Sequence, residues 1–219
     1  MKFVCISAAN IEVARTSSAS LRACQLIADQ VAAELPAAQV EILPLIDYEL
    51  KSCRMCGECF GSHICTRDED FNHVFAKLTA ADGLFWVVPH YAPLPSKMMI
   101  LTEKMEEMVF LGWCANPDYR FPLAGKPVGI IAHGGQNAPE ALPYYHKALV
   151  EPLASAFASC QMHVTAVGTD NLLGVTFGIT AIQKRPDSLF VDISHDWNDI
   201  GQRIAPLVSR VVAAAGGSR

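Results

Sequence analysis

Four cysteines fall within thirteen residues as Cys53-Arg-Met-Cys56-Gly-Glu-Cys59-Phe-Gly-Ser-His-Ile-Cys65, a C-x2-C-x2-C-x5-C run. Four thiolates this close supply the ligand number of a 4Fe-4S cluster, and the two-residue gaps are those of ferredoxin ligation, with a longer last gap. Zinc in a four-cysteine site usually joins two C-x2-C units across a longer stretch, so the spacing suits it less. Free or redox-active thiols are the remaining reading. Cys53, Cys56, Cys59 and Cys65 are therefore candidate metal ligands. His63 could replace a ligand or tune a cluster through a hydrogen bond, although an ordinary loop residue explains it too. The other four cysteines, Cys5, Cys24, Cys114 and Cys160, stand singly among apolar or small neighbours and read as small hydrophobes.

Three further segments carry residues suited to binding. Ser7-Ala8-Ala9-Asn10 through Arg15-Thr16-Ser17-Ser18 joins an apolar run to a helical pattern and is dense in hydroxyls. Backbone N–H groups at a helix start, aided by those hydroxyls and by Arg15, form a phosphate cradle. A plain capped helix start uses the same residue types. Pro89-His90-Tyr91-Ala92-Pro93-Leu94-Pro95-Ser96 holds three prolines and an aromatic pair, a stiff stretch able to set amides and a ring against a flat ligand. His90 and Tyr91 could equally pack on the rim of a sheet. Ala132-His133-Gly134-Gly135-Gln136-Asn137 carries a glycine pair that lets backbone approach a ligand, or simply makes a turn.

The elements that must position these loops follow from hydrophobic period. Apolar runs over Lys2 to Ser7, Val40 to Leu45, Gly83 to Val88, Pro127 to Ala132 and Val164 to Gly168 read as strands. Between them, helical spacing runs from about Ser17 to Leu35, from Asp68 through Leu78, from Ser96 to about Phe110, and from Leu142 to Cys160. Alternation of this kind builds a parallel sheet covered on both faces. Residues 112–125 read as irregular. Residues 169–188 have no clear period and form an excursion, an arm or a lid; Leu189 to Ile193 suggests an edge strand. A last helix runs through Ile200, Ile204, Leu207, Val208 and Val211, with a kink or break expected at Pro206. In such sheets ligands bind outside the carboxyl ends of the strands, where the three loops lie.

The chain has 219 residues and a formal net charge of -5, enough length for one α/β core and no basic footprint for nucleic acid. No stretch of about 18 apolar residues suggests a membrane span, and the N-terminus reads as a first strand, which implies a cytoplasmic protein.

Taken together, the three loops resemble the NADPH-dependent FMN reductase family of the flavodoxin-like superfamily. Ser17-Ser18-Ala19-Ser20-Leu21 matches the end of that family's phosphate loop, Pro89-His90-Tyr91 the start of its second loop, and Gly134-Gly135 its Gly-rich third loop. The first loop departs from the pattern: it lacks the expected glycine and looks about two residues longer. The resemblance implies a flavodoxin-like doubly wound five-stranded parallel sheet in three layers, one domain over residues 1–219 with a cysteine-rich loop at 51–66. It implies FMN held by Ser7, Arg15, Thr16, Ser17, Ser18, Pro89, His90, Tyr91, Ala92, Pro93, Leu94, Ser96, His133, Gly134 and Gly135. The cysteine run is similar to that of iron-sulfur flavoproteins, which implies a 4Fe-4S cluster passing electrons to FMN near a subunit interface. NAD(P)H or ferredoxin as donor, a small-molecule or protein acceptor, and a homodimer or homotetramer complete the expectation. A non-catalytic electron carrier, or a simple NAD(P)H:FMN or quinone reductase without a cluster, are the alternatives.

Overall fold

The computed structural model describes residues 1–137, 140–168, 172–186 and 191–217. Its strands are β1 (Lys2–Ser7), β2 (Gln39–Pro44), β3 (Gly83–Pro89), β4 (Pro127–Asn137), β5 (His163–Val164), β6 (Val175–Ile179), β7 (Ala181–Lys184) and β8 (Val191–Ser194). Its helices are α1 (Ala19–Glu34), α2 (Glu69–Ala80), α3 (Ser96–Ala115), α4 (Ala141–Tyr145), α5 (Glu151–Ser159) and α6 (Trp197–Gly217), with a π turn, His146–Val150, joining α4 to α5. The parallel sheet runs β2-β1-β3-β4-β5, the flavodoxin-like order with its reversal between β1 and β3.

Every residue of β3 is buried, as a central strand covered on both faces requires. On one face Val4, Ile6, Trp86 and Ile130 pack with α2, α3 and α5; Trp86 and Phe157 lie with ring centroids 5.0 Å apart. On the other, Phe3, Cys5, Phe85 and Ile131 pack with α1 and α6. Helix starts are fixed by side chains: Ser18 Oγ accepts the Leu21 N–H at 3.2 Å and Asp68 Oδ1 accepts the Phe71 N–H at 2.9 Å, the N-cap role both residue types favour.

Four features differ from the reading of the sequence. The fifth sheet position is shared: β5 pairs only with Pro127 and Val128, while β6 pairs with β4 from Ile131 onward. Thr176 and Gly178 interrupt the apolar run of β6 and disguised a buried strand within the 169–188 excursion, of which residues 169–171 and 187–188 lie outside the described residues. Second, Val191–Ser194 pairs antiparallel with β7 as a two-stranded arm rather than joining the sheet edge; Leu189 and Phe190 lie outside the described residues. Third, α3 continues to Ala115, five residues past the expected end. Fourth, α6 runs through Pro206. Pro206 is exposed, while Ile204, Leu207, Val208 and Val211 are fully buried, so packing of the apolar face holds the helix across the missing N–H.

Candidate functional site

The loops after β1, β3 and β4 meet at the carboxyl end of the sheet and enclose a cleft of about 580 Å3. Ser17, Ser18, Pro89, His90, Tyr91, His133, Gly134 and Gly135 all line it. The loops are tied to each other. The Asn10 N–H donates to Tyr91 Oη at 3.1 Å, the His90 N–H donates to the His133 carbonyl at 2.6 Å, and His90 Nε2 lies 2.9 Å from Tyr144 Oη. Burial raises the Tyr91 phenol pKa against the opposing Asn10 N–H, which keeps that ring neutral. A Cβ on Gly135 would meet nothing within 4 Å, whereas one on Gly134 would lie 2.4 Å from Tyr145 Oη. Gly134 is thus required by the packing of Tyr145, whose Oη accepts the Gln136 N–H at 2.8 Å, while Gly135 leaves open backbone at the cleft.

The remaining expected residues are placed elsewhere. Arg15 turns away: its Nε donates to Asp47 at 2.9 Å and its Nη1 to Glu12 at 2.8 Å. Ser7 is buried beneath the first loop. Thr16, Ala92 and Pro93 are exposed, and the Pro93 carbonyl accepts the Tyr91 N–H at 2.7 Å. Leu94 lines a separate groove beside α3, and Ser96 begins that helix.

Other cleft residues were not among those expected from the sequence to hold FMN. Ser20, on the first turn of α1, lies with its Oγ 2.7 Å from His133 Nε2, so the start of α1 is pinned to the end of β4. His133 stacks on Phe177 with centroids 4.7 Å apart and planes 5° from parallel. Burial, and secondarily the charge of His195, push the His133 pKa down to about 3. The imidazole is therefore neutral near pH 7. Arg22 of α1, with Arg185 and Asp192 of the arm and His195 and Trp197 at the start of α6, also lines the cleft. An aromatic pair opening the last helix was the available signal.

The four cysteines of the loop after β2 line a second hollow, of about 770 Å3, with Lys104 and Met108 of α3. It shares no lining residue with the cleft. The loop turns sharply, with Met55, Gly57, Gly61 and His63 at positive φ. Lys104, 4% exposed, pairs with Asp68 at 3.0 Å and donates to Cys65 Sγ at 3.4 Å. Burial pulls the Lys104 pKa down, but Asp68 and then Cys65 more than offset it and hold the ammonium charged. Arg67 pairs with Glu58 at 2.8 Å and reaches Cys56. Burial raises the Cys59 thiol. Among the described residues no group of three or more His, Cys, Asp or Glu is arranged to hold a metal ion. The sulfurs share a hollow, and two of them, Cys65 and Cys56, also meet the protein cations Lys104 and Arg67.

A 2-1-3-4-5 parallel sheet with a cleft between three loops at its carboxyl end defines a flavodoxin-like α/β protein. Residues 13–164 match the family model for NADPH-dependent FMN reductases. The chain belongs to that family and is a flavin oxidoreductase. Similar solved structures include an oxidoreductase from Corynebacterium diphtheriae, with TM-score 0.59 and 16% identity, over 99% of this chain and 97% of that one. RosB, solved with bound 8-demethyl-8-formylriboflavin-5'-phosphate, gives 0.61 and 14% identity over 98% and 79%. The NADH:FMN oxidoreductase EMOB gives 0.55 and 17% over 99% and 89%. At these identities the likeness is one of fold. No curated protein matches the sequence. No helix among the described residues is long and apolar enough to cross a membrane.

Proposed function

We propose that this chain is an NAD(P)H-dependent oxidoreductase that binds FMN in the cleft at the carboxyl end of the sheet. The carrying observation is the convergence of three separate loops on one cleft of about 580 Å3, within the range of small-molecule sites. Ser17, Ser18 and the first N–H groups of α1 receive the phosphate. His90 and Tyr91 border the ring on one side; the open backbone at Gly135 borders it on another. FMN supplies the hydride and single-electron chemistry when bound. The protein's residues position it: Asn10, Tyr91, His90 and His133 hold the loops in register, and neutral His133 donates or accepts one hydrogen bond to Ser20 without placing a charge in the cleft. The chain acts as one unit over residues 1–219, in the cytoplasm, as a homodimer or homotetramer, with NAD(P)H or ferredoxin as donor and a small-molecule or protein acceptor. Incubation with excess FMN followed by desalting should leave one flavin per chain, and anaerobic NADPH should bleach its absorbance. A colourless product after desalting would remove the assignment.

A second reading keeps a 4Fe-4S cluster on Cys53, Cys56, Cys59 and Cys65. The C-x2-C-x2-C-x5-C spacing and the shared hollow support it; that no group of three or more His, Cys, Asp or Glu among the described residues is arranged to hold a metal ion supports the reading without it. Anaerobic reconstitution with iron and sulfide separates the two. About four irons per chain, lost in Cys56→Ala, would support the cluster; iron-free protein with normal FMN reduction would leave a simple reductase.

A further inference from the structure

We infer that Arg22, not Arg15, is the cation that reads the flavin phosphate, and that Trp197 is its positioning residue. The inference rests on the FMN reading above and assigns a specificity residue within it. Three arginines stand at or beside the cleft, and two are already neutralised. Arg15 is held by Asp47 and Glu12. Arg185 donates from Nε to Asp192 at 2.8 Å. Arg22 differs. Among the described residues no carboxylate pairs with it; its guanidinium instead lies over the Trp197 ring, 4.5 Å from the centroid.

The helix directs this side chain toward the phosphate end of the cleft. The Arg22 N–H closes the first turn of α1 onto the Ser18 carbonyl at 3.0 Å, and a helical side chain lies over the turn N-terminal to its own Cα. That turn carries Ser18, Ala19 and Ser20, which line the same cleft as Arg22. A cation over an indole face keeps its edge N–H groups free, and a guanidinium edge is suited to two phosphate oxygens at once. Trp197 lies beyond residue 164, where the match to the family ends. The chain has thus supplied the cation from α1 and its platform from α6, in place of an arginine in the first loop.

The test compares FMN with riboflavin, which lacks the phosphate, by flavin fluorescence titration of the full chain. Arg22→Gln keeps helix propensity and should lower the FMN-to-riboflavin affinity ratio by about tenfold or more, while Arg15→Gln should hold it within about twofold. The salt dependence of FMN binding should flatten in Arg22→Gln and not in Arg15→Gln. Trp197→Leu should lower the ratio less than Arg22→Gln does. An unchanged ratio in Arg22→Gln, or an equal loss in Arg15→Gln, overturns the inference while FMN binding stands. Failure of the unsubstituted chain to bind either flavin would overturn the cofactor reading itself.

Discussion

His133 shows how one side chain couples site and stability. It is buried against Ser20 of α1, Phe177 of β6 and His195, with its pKa pushed down to about 3. Below about pH 6.5 the unfolded chain takes a proton that the folded chain refuses, so this residue contributes a loss of stability as pH falls from about 6.5 toward 3. At pH 4.5 the cost should be on the order of 2–3 kcal/mol. Urea unfolding at pH 7 and pH 4.5 checks it: His133→Asn should show a smaller drop than the unsubstituted protein, and equal drops would exclude His133 as the source. Ser17→Ala with Ser18→Ala should weaken FMN more than riboflavin by about tenfold, read by the same titration; equal losses would move the phosphate elsewhere. The Ser/Thr-rich loop, Pro89-His90-Tyr91 and the glycine pair were legible because each carries its chemistry locally. The pairing of Arg15 was not legible, because the carboxylate that holds it, Asp47, lies 32 residues on. Arg22 and Trp197 went unread because only the packing of α1 on α6 brings them together.

At the scale of elements, the start of α2 is the most demanding junction. Asp68 caps the helix, accepts the Lys51 N–H at 2.8 Å and pairs with Lys104 beneath the cysteine hollow. Those donors outweigh burial and hold its carboxyl below the usual range. Removing one partner of a buried pair leaves an uncompensated charge, so Asp68→Ala should cost about 3–5 kcal/mol in chemical denaturation. Asp68→Ala combined with Lys104→Met should recover much of it; no recovery would show that the cap and not the charge matters. The first four strands and their helices were readable because their period is unbroken over long runs. The fifth was not. Its lower half is two residues long, and its upper half returns after an insertion with a polar residue and a glycine inside it. Nothing in a local window reveals that two distant segments continue one sheet position.

At the scale of the whole molecule, exposed apolar side chains gather beside the cysteines: Met55 at 71% and Phe110 at 58% line one groove with Cys53, and Trp113 at 51% follows on the same helix as Phe110. Grouping of this kind marks contact surfaces, and the segment Met105 to Trp113 divides accordingly, with Met105, Met108 and Val109 buried in the core and Phe110 and Trp113 outside. We expect light scattering at micromolar concentration to give at least a dimer, and Phe110→Glu with Trp113→Glu to shift it toward monomer; a monomeric unsubstituted chain would sink the idea. The cleft and the cysteine hollow have no lining residue in common. They are therefore separable by substitution. Replacing the four cysteines need not rebuild the cleft at the carboxyl end of the sheet, and a change in that cleft need not reach the cysteines.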